Sequence, residues 1–303
     1  MGSTLGLGHY LQAKGHQVTI ISPTDYPAFL KWMPGRQMVL IAPFQPEKAH
    51  RLFRNAEVIF CLDFNTLARI NEFGETVAAA KGYKVMIDHH TFPEDFADIM
   101  LWDEEASSAC ELIFRLIAEE WQDKAALTQD IATCLYTGIM TDTGSFRFDC
   151  TTPRVHRVIA DLMDTGIDAT QIHNHIYDTY TEMRLRLWGY CLLHCLHVLP
   201  DKKTAYFVIP RKAATDFMME AGDLEGIVNY GLAIKGIIFA VTILEDEGLV
   251  KFSFRSKGDF GVIDLAKQFE GGGHFHAAGG RSRLSLEAAT TRFLEVLGET
   301  EVV

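Results

Sequence analysis

The sequence lacks several features that would assign it to a class at once. Its longest apolar stretch, 231–244, contains Lys235 and is shorter than the roughly 18 to 20 residues that a membrane span needs. The first nine residues show no basic segment followed by an apolar one, so no secretory signal is visible and the cytoplasm is the expected compartment. The six cysteines are scattered, which favours reduced core thiols over a disulfide framework or a zinc cluster.

Positive charge is scarce. The chain has 28 Lys and Arg residues against 40 Asp and Glu residues, a net charge of −12. Such a field repels polyanions, which argues against a membrane surface and against a long nucleic acid tracked along a basic groove. Any phosphate-bearing partner must be held locally. The length of 303 residues, 48% of them apolar, predicts a globular protein of two domains.

Alternating patterns predict an α/β first domain. Short apolar runs at 18–22, 57–62 and 83–87 alternate with helical patterns such as 66–80, as in βαβ units with a parallel sheet and covering helices. The run 58–62 is apolar throughout, as expected of a strand buried on both faces.

The apolar run 58–62 stops at Asp63, and the run 83–87 stops at Asp88-His89-His90. Ligands of open α/β sheets bind at the edge formed by the carboxyl ends of the strands. We therefore expect these side chains to share one edge of the sheet.

Helical patterns follow. Ser108 with Glu111 is a capping-box signature for a helix over 112–117, and a second helix over 127–140 ends at Thr141-Asp142-Thr143-Gly144. A long helical pattern then predicts a connector. We expect a first domain over 1–180, a connector helix over 181–197 and a second domain over 198–303.

The second domain reads as a smaller α+β unit. Strand patterns cover 205–209, 236–244 and 249–255, the last two joined as a hairpin across 245–248. The segment 271–280 holds so many glycines that backbone amides could approach a ligand closely.

Asp88-His89-His90 offers oxygen and imidazole nitrogen together, a set suited to Mn²⁺ or a similar ion. Alone, the triplet is equally compatible with a solvated loop. Asp63 adds a carboxylate from a separate strand at the same edge. Asp142 taken alone is a turn or cap residue, and its value lies in combination with the others.

Four ordered segments together resemble the DHH family of phosphoesterases, specifically the two-domain DHH/DHHA1 group that includes the nanoRNase and pAp phosphatase enzymes. They are Cys61-Leu62-Asp63, Asp88-His89-His90, the run from Tyr136 to Gly144, and Phe254-Arg255-Ser256 with Gly271-Gly272-Gly273-His274. The resemblance spans nearly the whole chain.

The resemblance implies two metal ions, usually Mn²⁺ with Mg²⁺ or Co²⁺ as substitutes, that activate a water for in-line attack on a phosphoester. Asp63 would bridge the ions, and His89 and Asp142 would ligate one of them. His90 would contact the scissile phosphate and Asp88 would support the site. The family also implies an active site in the cleft between the two domains.

In the second domain the resemblance implies that Arg255, His274 and the glycines Gly271, Gly272 and Gly273 hold the far phosphate or nucleotide end and limit substrate length. Arginine offers phosphate a bidentate fork, and glycine amides can form an anion nest. Alone, a glycine-rich run is commonly a tight turn and Arg255 a solvated strand residue. His276 lies outside the family pattern.

The amino terminus departs from the family. Relatives begin with a strand ending in one His and two Asp, followed by Gly-Ser and a helix, whereas this sequence opens at Gly2-Ser3. Without those ligands, water would have to complete the metal coordination. A doubly wound sheet without its central first strand would also leave neighbouring strands unpaired. We hypothesise that the native protein starts upstream, and an in-frame genomic segment before Met1 bearing a His and two Asp would test this.

The expected function is a manganese-dependent phosphoesterase that hydrolyses short oligoribonucleotides, 3′-phosphoadenosine 5′-phosphate (pAp), or both, to mononucleotides. A cyclic or linear dinucleotide phosphodiesterase is the enzymatic alternative, and a nucleotide-binding protein without catalysis follows if Met1 is the true start. Exopolyphosphatase and pyrophosphatase are disfavoured, because the glycine-rich segment resembles the nucleotide-handling type. The physiological substrate, the polarity of cleavage and a homodimeric state stay open.

Overall fold

The computed structural model describes residues 1–220 and 222–302. They form two compact units, one from Met1 to Thr179 and one that begins at Tyr180. The described strands of the first unit pair in parallel, whereas those of the second are mostly antiparallel. The predicted mixed α/β architecture is confirmed. No helix among the described residues is both long and apolar enough to cross a membrane.

The strands of the first unit are short. They are β1 (Ile20–Ser22), β2 (Val39–Ile41), β3 (Val58–Leu62), β4 (Tyr83–Asp88) and β5 (Ile99–Trp102). β1 pairs with β2, and β4 lies between β3 and β5. The predicted parallel pairing is therefore present as two separate sheets, which share no ladder in the described part of the chain. Leu62 is opposite Ile87, so the carboxyl ends of β3 and β4 lie side by side.

Helices cover these sheets. They are α1 (Gly2–Ala13), α2 (Pro46–Asn55), α3 (Phe73–Ala79), α4 (Ala109–Arg115), α5 (Gln129–Asp142), α6 (Pro153–Met163) and α7 (Ala169–Tyr177). The predicted helix 66–80 is interrupted, because a 3₁₀ turn over Leu67–Ile70 precedes α3 and Asn71 between them has a φ of 53°. A π-helical turn over Leu116–Glu120 extends α4.

The predicted cap of α4 is confirmed, with one change of partner. Ser108 Oγ accepts from the Glu111 amide at 3.1 Å. The Glu111 carboxylate, however, accepts from the amide and hydroxyl of Ser107, each at 2.8 Å, rather than from the Ser108 amide. The buried Glu111 side chain is thereby satisfied, and α4 begins at Ala109, earlier than the predicted 112.

Helices α1, α4 and α5 meet at two glycines. A Cβ at Gly2 would lie 2.5 Å from the Cys134 carbonyl oxygen, and one at Gly138 would lie 2.1 Å from Cys110 Sγ. Real carbon atoms do not approach so closely, so the absence of a side chain permits this helix contact. The packing fixes α5, whose last residue is Asp142.

The second unit begins with α8 (Glu182–Tyr190) and a π-helical turn over Cys191–Cys195. Its strands are β6 (Leu196–Leu199), β7 (Thr204–Ile209), β8 (Phe239–Asp246), β9 (Leu249–Ser256), β10 (Gly272–His274) and β11 (Ala277–Ser282). Its other helices are α9 (Arg211–Asp216), α10 (Ile227–Leu232), α11 (Ile263–Lys267) and α12 (Leu286–Glu299). The described strands form one sheet in the order β10-β11-β9-β8-β7-β6.

The predicted hairpin between β8 and β9 is confirmed. Asp246 pairs with Leu249, which leaves a two-residue turn at Glu247 and Gly248, and Gly248 has a φ of 70°. The strands extend further into the predicted loop than the sequence indicated, and β8 starts at Phe239 instead of 236.

The predicted connector segment packs into the second unit. Leu187, Trp188, Cys191 and Cys195 are buried together with strand residues such as Phe207. A second core on the same sheet is rich in phenylalanine, with Phe239, Phe252, Phe254, Phe269 and Phe293 all buried. Apolar burial of this kind is the main stabilising term of the unit.

The Gly138→Ala substitution tests the helix contact. We expect overpacking against Cys110 Sγ to lower the free energy of unfolding by about 1–3 kcal/mol, measured by urea denaturation followed by circular dichroism. Gly189→Ala is the matched control, because a Cβ there meets nothing within 4 Å and alanine favours a helix by up to about 1 kcal/mol. Adding Cys110→Ala should recover part of the loss, and equal effects of the two glycine substitutions would contradict this account.

Candidate active site

Asp63 lies where β3 ends and the chain turns. Its amide continues the strand ladder by donating to the Ile87 carbonyl at 3.1 Å, and its φ of 68° is in the left-handed region. This conformation is uncommon for a residue with a side chain, although aspartate tolerates it better than most, and such positions cluster at functional sites. The turn sets the Asp63 carboxylate at the sheet edge that the sequence predicted.

Asp88 and His90 form a buried hydrogen-bonded pair. Asp88 is 0% exposed, and its Oδ1 lies 2.8 Å from His90 Nδ1 while its Oδ2 accepts from the His90 amide at 3.3 Å. On the other side of the ring, Arg69 Nη1 lies 3.0 Å from His90 Nε2. A guanidinium can only donate, so Nε2 accepts and Nδ1 carries the proton that is donated to Asp88. Two neighbours thus define the tautomer of His90.

His89 directs its Nε2 atom toward the Asp63 carboxylate. Its Nδ1 lies 3.0 Å from the Ala106 carbonyl oxygen, which can only accept, so Nδ1 carries a proton. Its Nε2 faces Asp63 Oδ1 at 3.6 Å, and in the neutral ring this atom has a lone pair. Metal-binding histidines are oriented in this way, with the second nitrogen donating to a carbonyl or carboxylate.

Asp142 joins the same edge from the end of α5. One ligand atom each from Asp63, His89 and Asp142 lie within 4.8 Å of one another, and so do ligand atoms of Asp63, Asp88 and His90. Asp63 belongs to both groups. The structure therefore brings together every site residue that the sequence indicated in the first unit.

Asp63, His89 and Asp142 change one another's pKa values. Burial alone would raise the pKa of Asp63, but the interaction with His89 outweighs it and the pKa is lowered. Burial alone would lower the pKa of His89, yet the Asp63 carboxylate raises it. Asp142 reaches solvent, and the loss of part of its hydration, together with the Asp63 carboxylate, raises its pKa. Clustered carboxylates attract positive charge, as a proton or as a metal ion.

The donor set fits a divalent cation. Two carboxylates and an imidazole nitrogen from three separate elements converge, and carboxylate oxygen with imidazole nitrogen suits Mn²⁺ and related ions. The lone pair of His89 Nε2 in its neutral form faces a carboxylate oxygen across a gap that a cation would bridge. Asp63, His89 and Asp142 are the residues that could hold it.

In the second unit, Arg255 projects from β9. It pairs across the sheet with Ala240 on one side and Ala277 on the other, so its strand neighbours are small. Its Nη1 donates to the Phe254 carbonyl at 2.8 Å. Burial lowers the pKa of the guanidinium and Glu225 acts in the opposite direction, which identifies Glu225 as a charge partner that the sequence did not indicate.

The predicted glycines have different roles in the hairpin of β10 and β11. A Cβ at Gly271 would lie 1.9 Å from the Gly279 carbonyl oxygen, and one at Gly273 would lie 2.4 Å from that of Ala277. Both are therefore required by backbone packing. A Cβ at Gly272 would meet nothing within 4 Å. His274 ends β10 opposite Ala277.

His276 anchors the turn of this hairpin. Its Nδ1 lies 3.0 Å from Ser256 Oγ, and its carbonyl accepts from the Ser256 amide at 3.0 Å. Ser256 follows Arg255 on β9, so His276 fixes the turn beside that arginine. The residue outside the family pattern thus contributes to the local structure.

Sequence reasoning missed two further neighbours of His90. Arg69 is on the 3₁₀ turn before α3, and Trp102 at the end of β5 donates from Nε1 to the His90 carbonyl at 2.7 Å. Trp102 could have been found, because the apolar run 99–102 stops at an aspartate as the two earlier strands do, and in the structure Trp102 pairs with Asp88. Arg69 has no comparable signal, since a single arginine in a helical pattern is ordinarily a solvated surface residue.

Two family models match the sequence of this chain. The DHH family N-terminal domain matches residues 1–139 and the DHHA1 domain matches residues 201–300. A crystal structure of an exopolyphosphatase-related protein from Bacteroides fragilis is 41% identical, with a TM-score of 0.93, over 98% of this chain and 87% of that one. The chain belongs to the DHH family.

This DHH/DHHA1 chain has curated relatives. It is 29% identical over 304 residues to the bifunctional oligoribonuclease and PAP phosphatase NrnA of Thermus thermophilus, which covers 99% of this chain and 85% of the relative. It is 27% identical over 267 residues to the cyclic-di-AMP phosphodiesterase GdpP of Bacillus subtilis, which covers 84% of this chain and 38% of the relative. The DHH/DHHA1 family assignment makes the chain a phosphoric ester hydrolase.

Substitution of Asp63 tests the shared position of its carboxylate. We expect Asp63→Asn to weaken Mn²⁺ binding by more than about 100-fold, because even outer-shell partners of a metal contribute roughly 10- to 100-fold. Asp142→Asn, which alters one group only, should cost less. Isothermal titration calorimetry measures both. Asp161→Asn, at a surface carboxylate paired with Lys124, is the control, and equal affinity in all three variants would contradict the assignment.

Proposed function

We propose that this chain is a divalent-metal-dependent phosphoesterase that hydrolyses short oligoribonucleotides, pAp, or both, to mononucleotides. The observation that carries the proposal is the position of Asp63, which shares one group of ligand atoms with His89 and Asp142 and another with Asp88 and His90. In this proposal the first group supplies the metal ligands and the second contains the His90 imidazole, so a metal ion and a phosphate ester can meet at the Asp63 carboxylate.

In this proposal the residues of the first unit divide the work. Asp63, His89 and Asp142 hold Mn²⁺, with Mg²⁺ or Co²⁺ as substitutes. When bound, the metal supplies an activated water and offsets the negative charge of the reacting phosphate. His90 contacts the scissile phosphate, and Asp88 orients the His90 ring through the hydrogen bond to Nδ1.

The second unit has candidate anion-binding residues of its own. Arg255, His274 and the glycines Gly271 to Gly273 bind a phosphate or nucleotide end in this proposal. Arg255 supports it, because a guanidinium whose charge is disfavoured by burial gains from an anionic partner. Of the glycines, Gly272 leaves the most room for a ligand, since open space surrounds the position of its absent side chain.

Short substrates fit the electrostatics. A net charge of −12 provides no broad attraction for a long polyanion. A phosphate can still be held where metal ions and arginine concentrate positive charge. The name of the Thermus thermophilus relative, an oligoribonuclease and PAP phosphatase, supports this substrate class.

A cyclic or linear dinucleotide is the second candidate substrate. It is favoured by the similarity to the cyclic-di-AMP phosphodiesterase of Bacillus subtilis, which extends over 84% of this chain. Both candidates require the same hydrolysis of a phosphate ester at the same residues. They differ in what the second unit must accommodate.

A substrate panel separates these candidates. The protein with added Mn²⁺ is incubated with pAp, pApA, a five-residue RNA, a long RNA and cyclic di-AMP, and the products are resolved by chromatography. We expect AMP from pAp and mononucleotides from pApA and the short RNA, with little product from long RNA. Turnover of cyclic di-AMP or pApA without turnover of pAp or the five-residue RNA would favour the second candidate, and no turnover of any substrate would contradict the proposed function.

Metal removal provides an independent test. Treatment with EDTA followed by gel filtration should abolish turnover of pApA, and Mn²⁺ should restore it, because the carboxylate and imidazole ligands supply no substitute for the metal charge. Asp63→Asn should not recover with added Mn²⁺, whereas the surface variant Asp161→Asn should. Full activity in the chelated protein would refute metal dependence.

A further inference from the structure

Arg69 places a positive charge beside the carboxylate-rich edge of the first unit. Arg69 lies on the 3₁₀ turn between β3 and α3 and is exposed, and its Nη1 lies 3.0 Å from His90 Nε2. The bond to His90 uses one of the five N–H donors of the guanidinium. The side chain therefore contacts the site and solvent at once.

The turn that carries Arg69 is fixed to the segment that follows Asp88-His89-His90. The Leu67 amide donates to Glu94 Oε2 at 2.9 Å, and the Glu94 amide donates to the Asn65 carbonyl at 2.8 Å. Asn65 Nδ2 donates to the Thr91 carbonyl at 2.7 Å. Ile70, the last residue of the turn, is buried in the core against α3. Arg69 thus projects from a pre-organised backbone.

The negative charge of this edge makes the position of Arg69 important for binding a phosphate. Asp63, Asp88 and Asp142 converge on the edge, and their field repels a phosphate ester. A metal ion would offset part of that repulsion. The Arg69 guanidinium can offset the remaining repulsion, and its parallel N–H donors match two oxygens of a phosphate.

We propose that Arg69 is a substrate-binding residue that donates hydrogen bonds to the phosphate group that reacts at this edge. Before substrate binds, Arg69 satisfies His90 Nε2 and keeps the ring in one tautomer. When the phosphate enters, the other N–H donors of the guanidinium bind its oxygens, and the bond to His90 Nε2 is kept. The inference rests on the proposed function in one respect, that this edge receives a phosphate ester.

Binding of inorganic phosphate tests the inference without turnover. All proteins carry Arg255→Ala, so that the arginine of the second unit does not contribute, and Mn²⁺ is present. Isothermal titration calorimetry with phosphate compares Arg69→Ala, Arg69→Lys and Arg54→Ala. Arg54 is the matched control, an exposed arginine at the end of α2, ahead of the opposite end of β3. Mn²⁺ affinity and circular dichroism of each variant exclude an effect through the metal or the fold.

We expect Arg69→Ala to weaken phosphate binding roughly 10- to 100-fold relative to Arg54→Ala, the range for a hydrogen bond to a charged group. Lysine keeps the charge without the fork, so Arg69→Lys should fall between them. With pAp as substrate and Arg255 intact, Arg69→Ala should raise KM more than it lowers kcat, and added guanidinium should restore part of the affinity. Phosphate affinity in Arg69→Ala within about 2-fold of Arg54→Ala overturns the inference.

The two proposals fail differently. If the wild-type chain turns over none of the panel substrates but Arg69→Ala still loses phosphate affinity, the proposed function fails and the role of Arg69 stands. If the wild type is active and Arg69→Ala binds phosphate as tightly as Arg54→Ala, the role of Arg69 fails alone.

Discussion

The parallel pairing of β3 with β4 determines the first unit's site. With Leu62 opposite Ile87, Asp63 and Asp88 lie at the ends of neighbouring strands on one edge. His89 then faces the Asp63 carboxylate and His90 binds that of Asp88. A shift of one residue in this register would turn alternate side chains to the other face of the sheet. The two apolar strands thus bring together polar side chains whose clustering would otherwise have a large free-energy cost.

The remaining parts of the site depend on that edge. Close packing at Gly138 and Cys110 fixes the helix that ends at Asp142. Second partners then orient the imidazoles, since the Ala106 carbonyl turns His89 Nε2 toward Asp63 and Asp88 with Arg69 defines the tautomer of His90. Each of the two imidazoles therefore has a hydrogen-bond partner that limits its rotation. Such support lowers the entropic cost of binding a metal or substrate.

The sequence predicted the parts of the site that follow from pattern. Apolar runs that stop at Asp63 and at Asp88 identify strand ends, and strand ends of a parallel sheet share an edge. Asp142 needed the resemblance to a family, because an aspartate between two threonines is an ordinary helix-end residue. The role of Arg69 could not be predicted from the sequence, because it depends on where a short turn lies against the loop after His90.

Other differences have physical reasons as well. The glycine-rich segment read as a ligand loop, but Gly271 and Gly273 are demanded by contacts with the carbonyls of Gly279 and Ala277, and cross-strand distances are invisible in a sequence. The helical pattern over 66–80 is interrupted at Asn71, where a left-handed residue separates the turn from α3. The spacing of apolar residues along a sequence does not by itself show where a helix is interrupted.

The most direct test of the account is anomalous diffraction at the manganese absorption edge from crystals of the protein grown with Mn²⁺. The account predicts a manganese peak coordinated by the Asp63 carboxylate, His89 Nε2 and the Asp142 carboxylate. A saturated crystal with no peak at this edge, or with a peak that Asp63 does not contact, would contradict it.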